Sequence, residues 1–275
     1  MLNYITWTVD PAIVNILGRE IRWYGLMFAI GFWIGYKIVE KMFKQENIDL
    51  KWLDSLFIYV IAGTVIGARL GHCLFYAWDY YSANPIEIFK IWEGGLASHG
   101  GAIGIIIAIW IYSKKVTHRS MLFTFDRLVV PVALVGALIR LGNLFNHEIY
   151  GHATNLPWAF RYVTNLQAWR HGAEPIFSDP SHPTQIYEAV CYILVFILLM
   201  NLYFKKKAWQ KEGLIFGIFL NGIFLTRFFI EFIKNDQEAF EANMLLNMGQ
   251  LLSLPFIIIG CYLIYRALTK PKAII

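Results

Sequence analysis

The sequence predicts an all-α polytopic membrane protein, a seven-transmembrane-helix bundle with a periplasmic cap formed by the long loop between spans four and five. Three observations predict it. Of 275 residues, 57% are hydrophobic and only 16% charged, where soluble domains carry about 25% charged residues. The apolar residues gather into stretches of about 20, the length at which a helix crosses a bilayer core. Lys and Arg fall predominantly into alternate connections, as the positive-inside rule requires of a multi-pass chain. A mean hydropathy of +0.50 excludes disorder and argues against a soluble enzyme. The net charge of +5 does not indicate nucleic acid, because the bases form no tract beyond short runs such as Lys205-Lys206-Lys207. The whole chain, 1–275, reads as a single integral membrane domain.

The predicted spans are 22–42, 54–76, 96–113, 122–142, 184–204, 213–233 and 248–267. Small residues four apart recur in them at Gly31/Gly35, Gly67/Gly71, Gly100/Gly104 and Gly213/Gly217, a spacing that lets helix backbones approach closely in lipid. Lys37, Lys41, Lys44 and Lys51, then Lys114, Lys115 and Arg119, then Lys205, Lys206, Lys207 and Lys211, then Arg266, Lys270 and Lys272 mark one face as cytoplasmic. The N-terminus is then extracytoplasmic and the C-terminus cytoplasmic. The N-terminus lacks a basic leader and is interrupted by Asp10-Pro11, so it reads as retained and not as a cleavable signal. Cys73, Cys191 and Cys261 sit singly in apolar runs and read as packing residues.

The connection at 144–183 differs from the short basic cytoplasmic ones. It is long and carries Trp158, Trp169, Pro157, Pro175 and Pro180, which predicts an ordered extracytoplasmic cap.

Charges inside spans are costly and by default mark function. Arg127 follows Asp126 near the cytoplasmic start of span four, where Asp126 is expected to cap that helix and Arg127 to reach headgroups. Arg69, Arg140 and Arg227 instead fall toward the outer ends of three different spans. Tyr24, His99, Asn143, Asn146, Glu148, His182, Gln185, Tyr187, Glu188, Glu231 and Gln250 collect at the same level. Arg140 and Asn143 are i, i+3, and Arg227 and Glu231 are i, i+4, so each pair shares a helix face. Several planar guanidinium groups at headgroup depth suit a phosphate partner. His99, flanked by Gly94, Gly95, Gly100 and Gly101, is the candidate general base, its ordinary pKa lying near neutrality.

Two motifs fail on spacing. His147 and His152 resemble a zinc-protease pair around Glu148, but at i, i+5 they cannot share a helix face. Gly100-Gly101-Ala102-Ile103-Gly104 lacks the following Gly-Lys-Ser/Thr of a phosphate loop.

Taken together, the motifs resemble one family. Ile139-Arg140-Leu141-Gly142-Asn143-Leu144-Phe145-Asn146-His147-Glu148-Ile149-Tyr150-Gly151 is similar to the Arg-x-Gly-Asn-x-x-Asn-x-Glu signature of bacterial prolipoprotein diacylglyceryl transferases. Matching segments follow in the family's order: Arg22-Trp23-Tyr24-Gly25, Gly67-Ala68-Arg69-Leu70-Gly71, Ser98-His99-Gly100-Gly101, His182-Pro183-Thr184-Gln185-Ile186-Tyr187-Glu188, Arg227-Phe228-Phe229-Ile230-Glu231-Phe232 and Met248-Gly249-Gln250-Leu251-Leu252-Ser253. The chain departs from the common pattern at Ile139 and His147, where Gly is usual, and at Ile223, where Tyr is common.

The resemblance implies transfer of the diacylglyceryl group of phosphatidylglycerol to the lipobox cysteine thiol of a preprolipoprotein, forming a thioether and releasing glycerol phosphate. It implies His99, Arg140 and Arg227 as catalytic residues. It implies Tyr24, Asn143, Asn146, Glu148, Gly151 and Glu231, with both arginines, as the substrate-binding set. The implied partners are phosphatidylglycerol, preprolipoprotein signal peptides and membrane lipids, with no nucleic acid, metal or organic cofactor. The competing reading is a lipid or anion transporter with an outer-leaflet phosphate site, which should open to both faces.

Overall fold

The computed structural model describes residues 4–16, 18–91, 94–235, 241 and 244–269. Lys270 and Lys272, used above for orientation, lie outside the described residues. The chain forms two compact units, one of Met1–Gly35 with Asp126–Ile275 and one of Tyr36–Phe125. Helix α1 (Trp23–Glu46) and helix α5 (Met121–Phe145) each contribute to both.

The unit of residues 36–125 is built on helices α2 (Leu50–Phe75) and α4 (Ser98–Tyr112), linked through the short helix α3 (Trp78–Ala83) and a 3-10 turn at Pro85–Phe89. Asp49 starts α2 by accepting from the Lys51 amide at 2.9 Å, a side-chain cap for an otherwise unpaired N–H. The glycine spacing read from the sequence is what joins the two helices. A methyl on Gly67 would meet Gly104 Cα at 2.8 Å, and one on Gly71 would meet Gly100 Cα at 2.6 Å. Backbone therefore packs on backbone, which only hydrogen side chains allow.

In the other unit, strand β1 (Tyr4–Trp7) pairs in parallel with β4 (Ala159–Tyr162), Tyr4 opposite Ala159 and Trp7 opposite Tyr162. Strands β2 (Ala12–Ile16) and β3 (Arg19–Arg22) form an antiparallel hairpin. Helices α7 (Thr184–Phe204), α8 (Leu214–Ile230) and α9 (Met248–Thr269) complete it with α5 and the short helix α6 (Leu166–Arg170). Gly217 of α8 faces the Gly260 carbonyl of α9, where a Cβ would come within 2.9 Å. Gly31 and Gly35 of α1 pack on Val135 and Pro131 of α5.

The 144–183 segment is ordered around a core of Leu144, Phe160 and Tyr162, with Trp7, Tyr150 and Ile186 packed against it. The Trp7 indole N–H donates to the Leu144 carbonyl at 3.0 Å. Burial pushes the Tyr162 hydroxyl well above its ordinary pKa. At the surface, Arg170 holds Asp10 and Glu20 at 3.1 and 2.5 Å. Its hydrogen bond, with that of Arg22, keeps the Glu20 carboxyl below its usual range.

Among the described residues, six helices are long and apolar enough to cross a membrane: Leu50–Phe75, Ser98–Thr117, Met121–Phe145, Thr184–Phe204, Leu214–Ile233 and Met248–Thr269. Large apolar side chains such as Ile58, Leu194 and Ile258 remain outward and exposed on them, as lipid-facing helices require. The protein is a multi-pass membrane protein. Helix α1 stands outside this set because its apolar part ends at Tyr36, before Lys37 and Glu40. That part reaches about 21 Å at 1.5 Å per residue, against about 30 Å of hydrocarbon.

Asp126 corrects an expectation. It lies inside α5 and caps another helix, accepting from the Gly213 amide at 2.6 Å and the Phe216 amide at 2.8 Å at the start of α8. The sequence signal for a cap was sound, but the amides it satisfies lie far along the chain.

Candidate active site

The signature residues at the end of α5 converge with α7 and α8. Arg140 Nε lies 2.9 Å from Glu188 Oε2 of α7, an ion pair whose angle leaves that oxygen without an aligned hydrogen bond. Tyr192, one turn further along α7, hydrogen-bonds the same guanidinium. Arg140 Nη1 reaches Asn143 Oδ1 at 3.4 Å, as the i, i+3 spacing predicts.

Past the helix end, the Asn143 and Asn146 amides both donate to Glu148 Oε1, at 2.8 and 3.1 Å. Glu148 itself is exposed. The backbone on either side of it is held in the left-handed region, His147 at φ +57° and Ile149 at φ +61°. For a β-branched residue this is strained and persists only where its surroundings fix it. Thr184 Oγ1 donates to the Ile149 carbonyl at 2.8 Å and Gln185 Nε2 to the Glu148 carbonyl at 2.7 Å. Glu148 is thus presented by a loop clamped from the first turn of α7.

His147 has no access to a ligand. Its Nδ1 accepts from the Val163 amide at 3.1 Å and its Nε2 lies 2.9 Å from the Val9 carbonyl, which fixes the neutral Nε2–H tautomer. Burial holds its pKa below the ordinary value. The positive φ gives the physical reason that glycine suits this position. His152 pairs instead with Asn235 at 2.9 Å.

Gly151 serves close approach. A Cβ there would meet Thr184 Cγ2 at 2.8 Å and His182 Cβ at 2.9 Å, besides the Ile233 carbonyl. Tyr24, at the start of α1, packs over Gly142, where a methyl would meet its ring at 2.8 Å. Its hydroxyl is within electrostatic range of Glu148 and Arg140.

Arg227 is the least committed cation. It forms no ion pair among the described residues, its Nε is buried without a hydrogen-bond partner, and its charge acts on the same Tyr192 hydroxyl as that of Arg140. Glu231, expected to hold Arg227, pairs with Lys234 Nζ at 2.9 Å instead. Gln250 is structural, its amide donating to the Phe228 carbonyl at 3.3 Å.

Two further predicted residues belong to the unit of residues 36–125. His99 is the second residue of α4 and is exposed. Arg69, grouped by sequence with Arg140 and Arg227, is 3% exposed and spends its N–H groups on backbone. It donates to the carbonyls of Ile88 at 2.8 Å, Gly94 at 2.6 Å and Glu87 at 2.5 Å, and stacks on Tyr81 at 4.9 Å. The approach to α4 is thereby pinned. The sequence reasoning passed over Lys234 and Tyr192 as site residues; the Glu231/Lys234 i, i+3 pair at the end of span six was the available signal for the first.

Comparison with known proteins agrees over nearly the full length. The family model described as prolipoprotein diacylglyceryl transferase matches residues 11–266. The chain is 54% identical over 274 residues to the phosphatidylglycerol–prolipoprotein diacylglyceryl transferase of Porphyromonas gingivalis, covering 98% of this chain and 96% of that one. It is 43% identical over 267 residues to the protein of the same name from Tolumonas auensis, covering 97% and 98%. To that of Chloroherpeton thalassium it is 42% identical over 270 residues, covering 98% and 97%.

Proposed function

This chain belongs to the prolipoprotein diacylglyceryl transferase family, and from that premise we propose that it transfers the diacylglyceryl group of phosphatidylglycerol to the lipobox cysteine of a preprolipoprotein. A sulfur–carbon bond forms as the carbon–oxygen bond to the phosphate breaks, giving a thioether and glycerol phosphate. The relatives' names favour this over the transporter reading.

The observation that carries the chemistry is the pair of guanidinium groups around Tyr192, one of which, Arg227, has no protein partner for its buried Nε. A desolvated donor left unpaired is costly unless a ligand takes it up. Arg140 and Arg227 would bind the headgroup phosphate and stabilise the charge that grows on the departing oxygen. Asn143, Asn146, Glu148 and Tyr24 would orient the headgroup's polar end, Gly151 would keep the surrounding backbone close, and Glu231 would set the local charge. His99 would accept the thiol proton, since thiolate is the effective nucleophile; its exposed ring at the start of α4 supports that role.

For topology, we take α1 as the seventh span, with Lys37, Lys41 and Lys44 snorkelling to the headgroups of the cytoplasmic face. The N-terminus and the 144–183 cap are then extracytoplasmic and the chain works as one integral domain of the bacterial inner membrane. A reporter fused after Ile275 should be cytoplasmic.

The test incubates purified protein with phosphatidylglycerol and a lipobox peptide and weighs the peptide by mass spectrometry. A diacylglyceryl mass gain confined to the Cys peptide and absent from a Cys-to-Ser control is expected. Arg140→Ala and His99→Ala should lose it while remaining folded. No gain from folded wild-type protein would overturn the proposal.

A further inference from the structure

We propose that Lys234 is a positioning residue that keeps the buried Glu231 carboxylate off Arg227 and shares the Glu188 carboxylate with Arg140; this rests on the transferase reading above. Lys234 is 2% exposed. Its Nζ lies 3.2 Å from Glu188 Oε1 and 2.9 Å from Glu231 Oε2, while Glu188 Oε2 lies 2.9 Å from Arg140 Nε. The order is therefore Arg140, Glu188, Lys234, Glu231, alternating in sign, with both carboxylates buried.

Such a chain is expensive to desolvate, and a simple salt bridge would not need its length. Its effect on charge explains it. Two acids buried beside Arg140 and Arg227 would, left alone, neutralise both guanidinium groups and weaken any phosphate site. Glu231 stands one helical turn after Arg227, a spacing at which the two side chains can pair. In the structure its carboxylate pairs with Lys234, and Arg227 Nε has no partner. Lys234 thereby leaves the site with one cation more than its buried carboxylates, and that surplus is what an anionic headgroup would meet.

Lys234 is itself held in place. Gly151 forms a β-bridge with it, the His152 amide donates to the Ile233 carbonyl at 2.9 Å, and the Lys234 amide donates to the Glu231 carbonyl at 3.3 Å. The strand-like turn that carries Lys234 is thus tied to the loop that carries Glu148. A side chain kept there for packing alone would not require a charge.

The test measures full-length protein in detergent with phosphatidylglycerol and a lipobox peptide, titrating each substrate separately. Lys234→Met should raise the KM for phosphatidylglycerol by about thirtyfold or more, in the range for an orphaned buried charge, and leave the KM for the peptide unchanged. Lys234→Arg should retain most activity. The decisive variant is the double change Lys234→Met with Glu231→Gln. It removes the carboxylate that would capture Arg227, so the phosphatidylglycerol KM should recover by about tenfold.

A double variant as poor as Lys234→Met would overturn the proposal, as would a Lys234→Met protein with wild-type KM or one that loses both substrates equally. Should Lys234→Met not fold, the double variant is compared directly with wild type. A KM for phosphatidylglycerol within about fivefold of wild type then supports the proposal, and a larger loss refutes it. If wild-type protein transfers nothing, the transferase reading fails by itself. Binding of short-chain phosphatidylglycerol to the same variants, ranked in the same order, then decides the role of Lys234.

Discussion

Arg69 and Arg227 look alike in the sequence, each a lone arginine toward the outer end of an apolar span, yet the structure uses them in opposite ways. Arg69 directs its N–H groups to carbonyls of Glu87, Ile88 and Gly94 and lays its plane on Tyr81. Arg227 has a buried Nε with no partner. What separates an arginine spent on the fold from one left open to a ligand is therefore the set of acceptors already in place around it. Arg69 is surrounded by carbonyls of an irregular segment, and its N–H groups satisfy them in an apolar setting. For Arg227 the acid one helical turn along the chain, Glu231, is taken by Lys234.

That contrast is broken most directly by exchanging the consequences. Arg227→Ala should reduce transfer by about a hundredfold or more, the scale of removing one donor from a developing oxyanion, with little change in thermal stability. Arg69→Leu should do the reverse, destabilising the fold by about 2 kcal/mol or more through orphaned carbonyls. Activity and unfolding temperature in detergent, measured on both variants, check the pair. If Arg227→Ala melts the protein, or Arg69→Leu keeps its wild-type melting temperature, the distinction is wrong.

A weaker effect sharpens the same picture around Arg69. Its segment leads into α4, whose seat on α2 depends on backbone contact between glycines. Gly104→Ala places a methyl within 2.9 Å of Gly67 Cα and against the Gly63 carbonyl. Overpacking of this kind costs about 1–3 kcal/mol. The same change at Gly172, where nothing lies within 4 Å but φ is +94°, costs only backbone strain, about 1 kcal/mol. Urea or thermal denaturation of the two variants should rank them in that order.

Much of this was legible from sequence because lipid imposes a length. The span read at 184–204 coincides with α7, Thr184–Phe204, five others match membrane-length helices to within a few residues at their ends, and the one at 22–42 meets helix α1, which stands outside that set. The glycines of α2 and α4 were readable for the same reason, since close packing in lipid demands small residues at fixed spacing. Within the site, the local pairs were readable: Arg140 with Asn143, and Asn143 and Asn146 around Glu148 within one loop. What escaped depends on contacts distant in sequence. Nothing near Asp126 points to the amides of Gly213 and Phe216, and nothing near Lys234 points to Glu188. The strands β1 and β4 are four residues each, separated by most of the chain, and carry no periodicity long enough to read. Sequence placed Arg69 at the same level as Arg140 and Arg227 and could not show its different use, because its carbonyl partners are backbone, which composition does not display.

His147 gives the smallest effect and tests whether the loop around Glu148 is fixed from outside. Its ring bridges Val9 and Val163 only in the neutral form, because Nδ1 must accept from an amide N–H. Burial lowers its pKa from the ordinary 6.5. The folded state thus takes up the proton later than the unfolded chain. Stability is full above the unfolded value and falls as pH drops below it, until the folded value is reached. Between about pH 7.5 and pH 5.5 the melting temperature should fall by about 2 °C from this group. His147→Asn tolerates the positive φ but does not titrate, so its melting curve should lack that increment. Equal pH dependence in the two proteins would mean that the ring's protonation is not felt by the fold. The loop would then hold Glu148 through Thr184 and Gln185 alone.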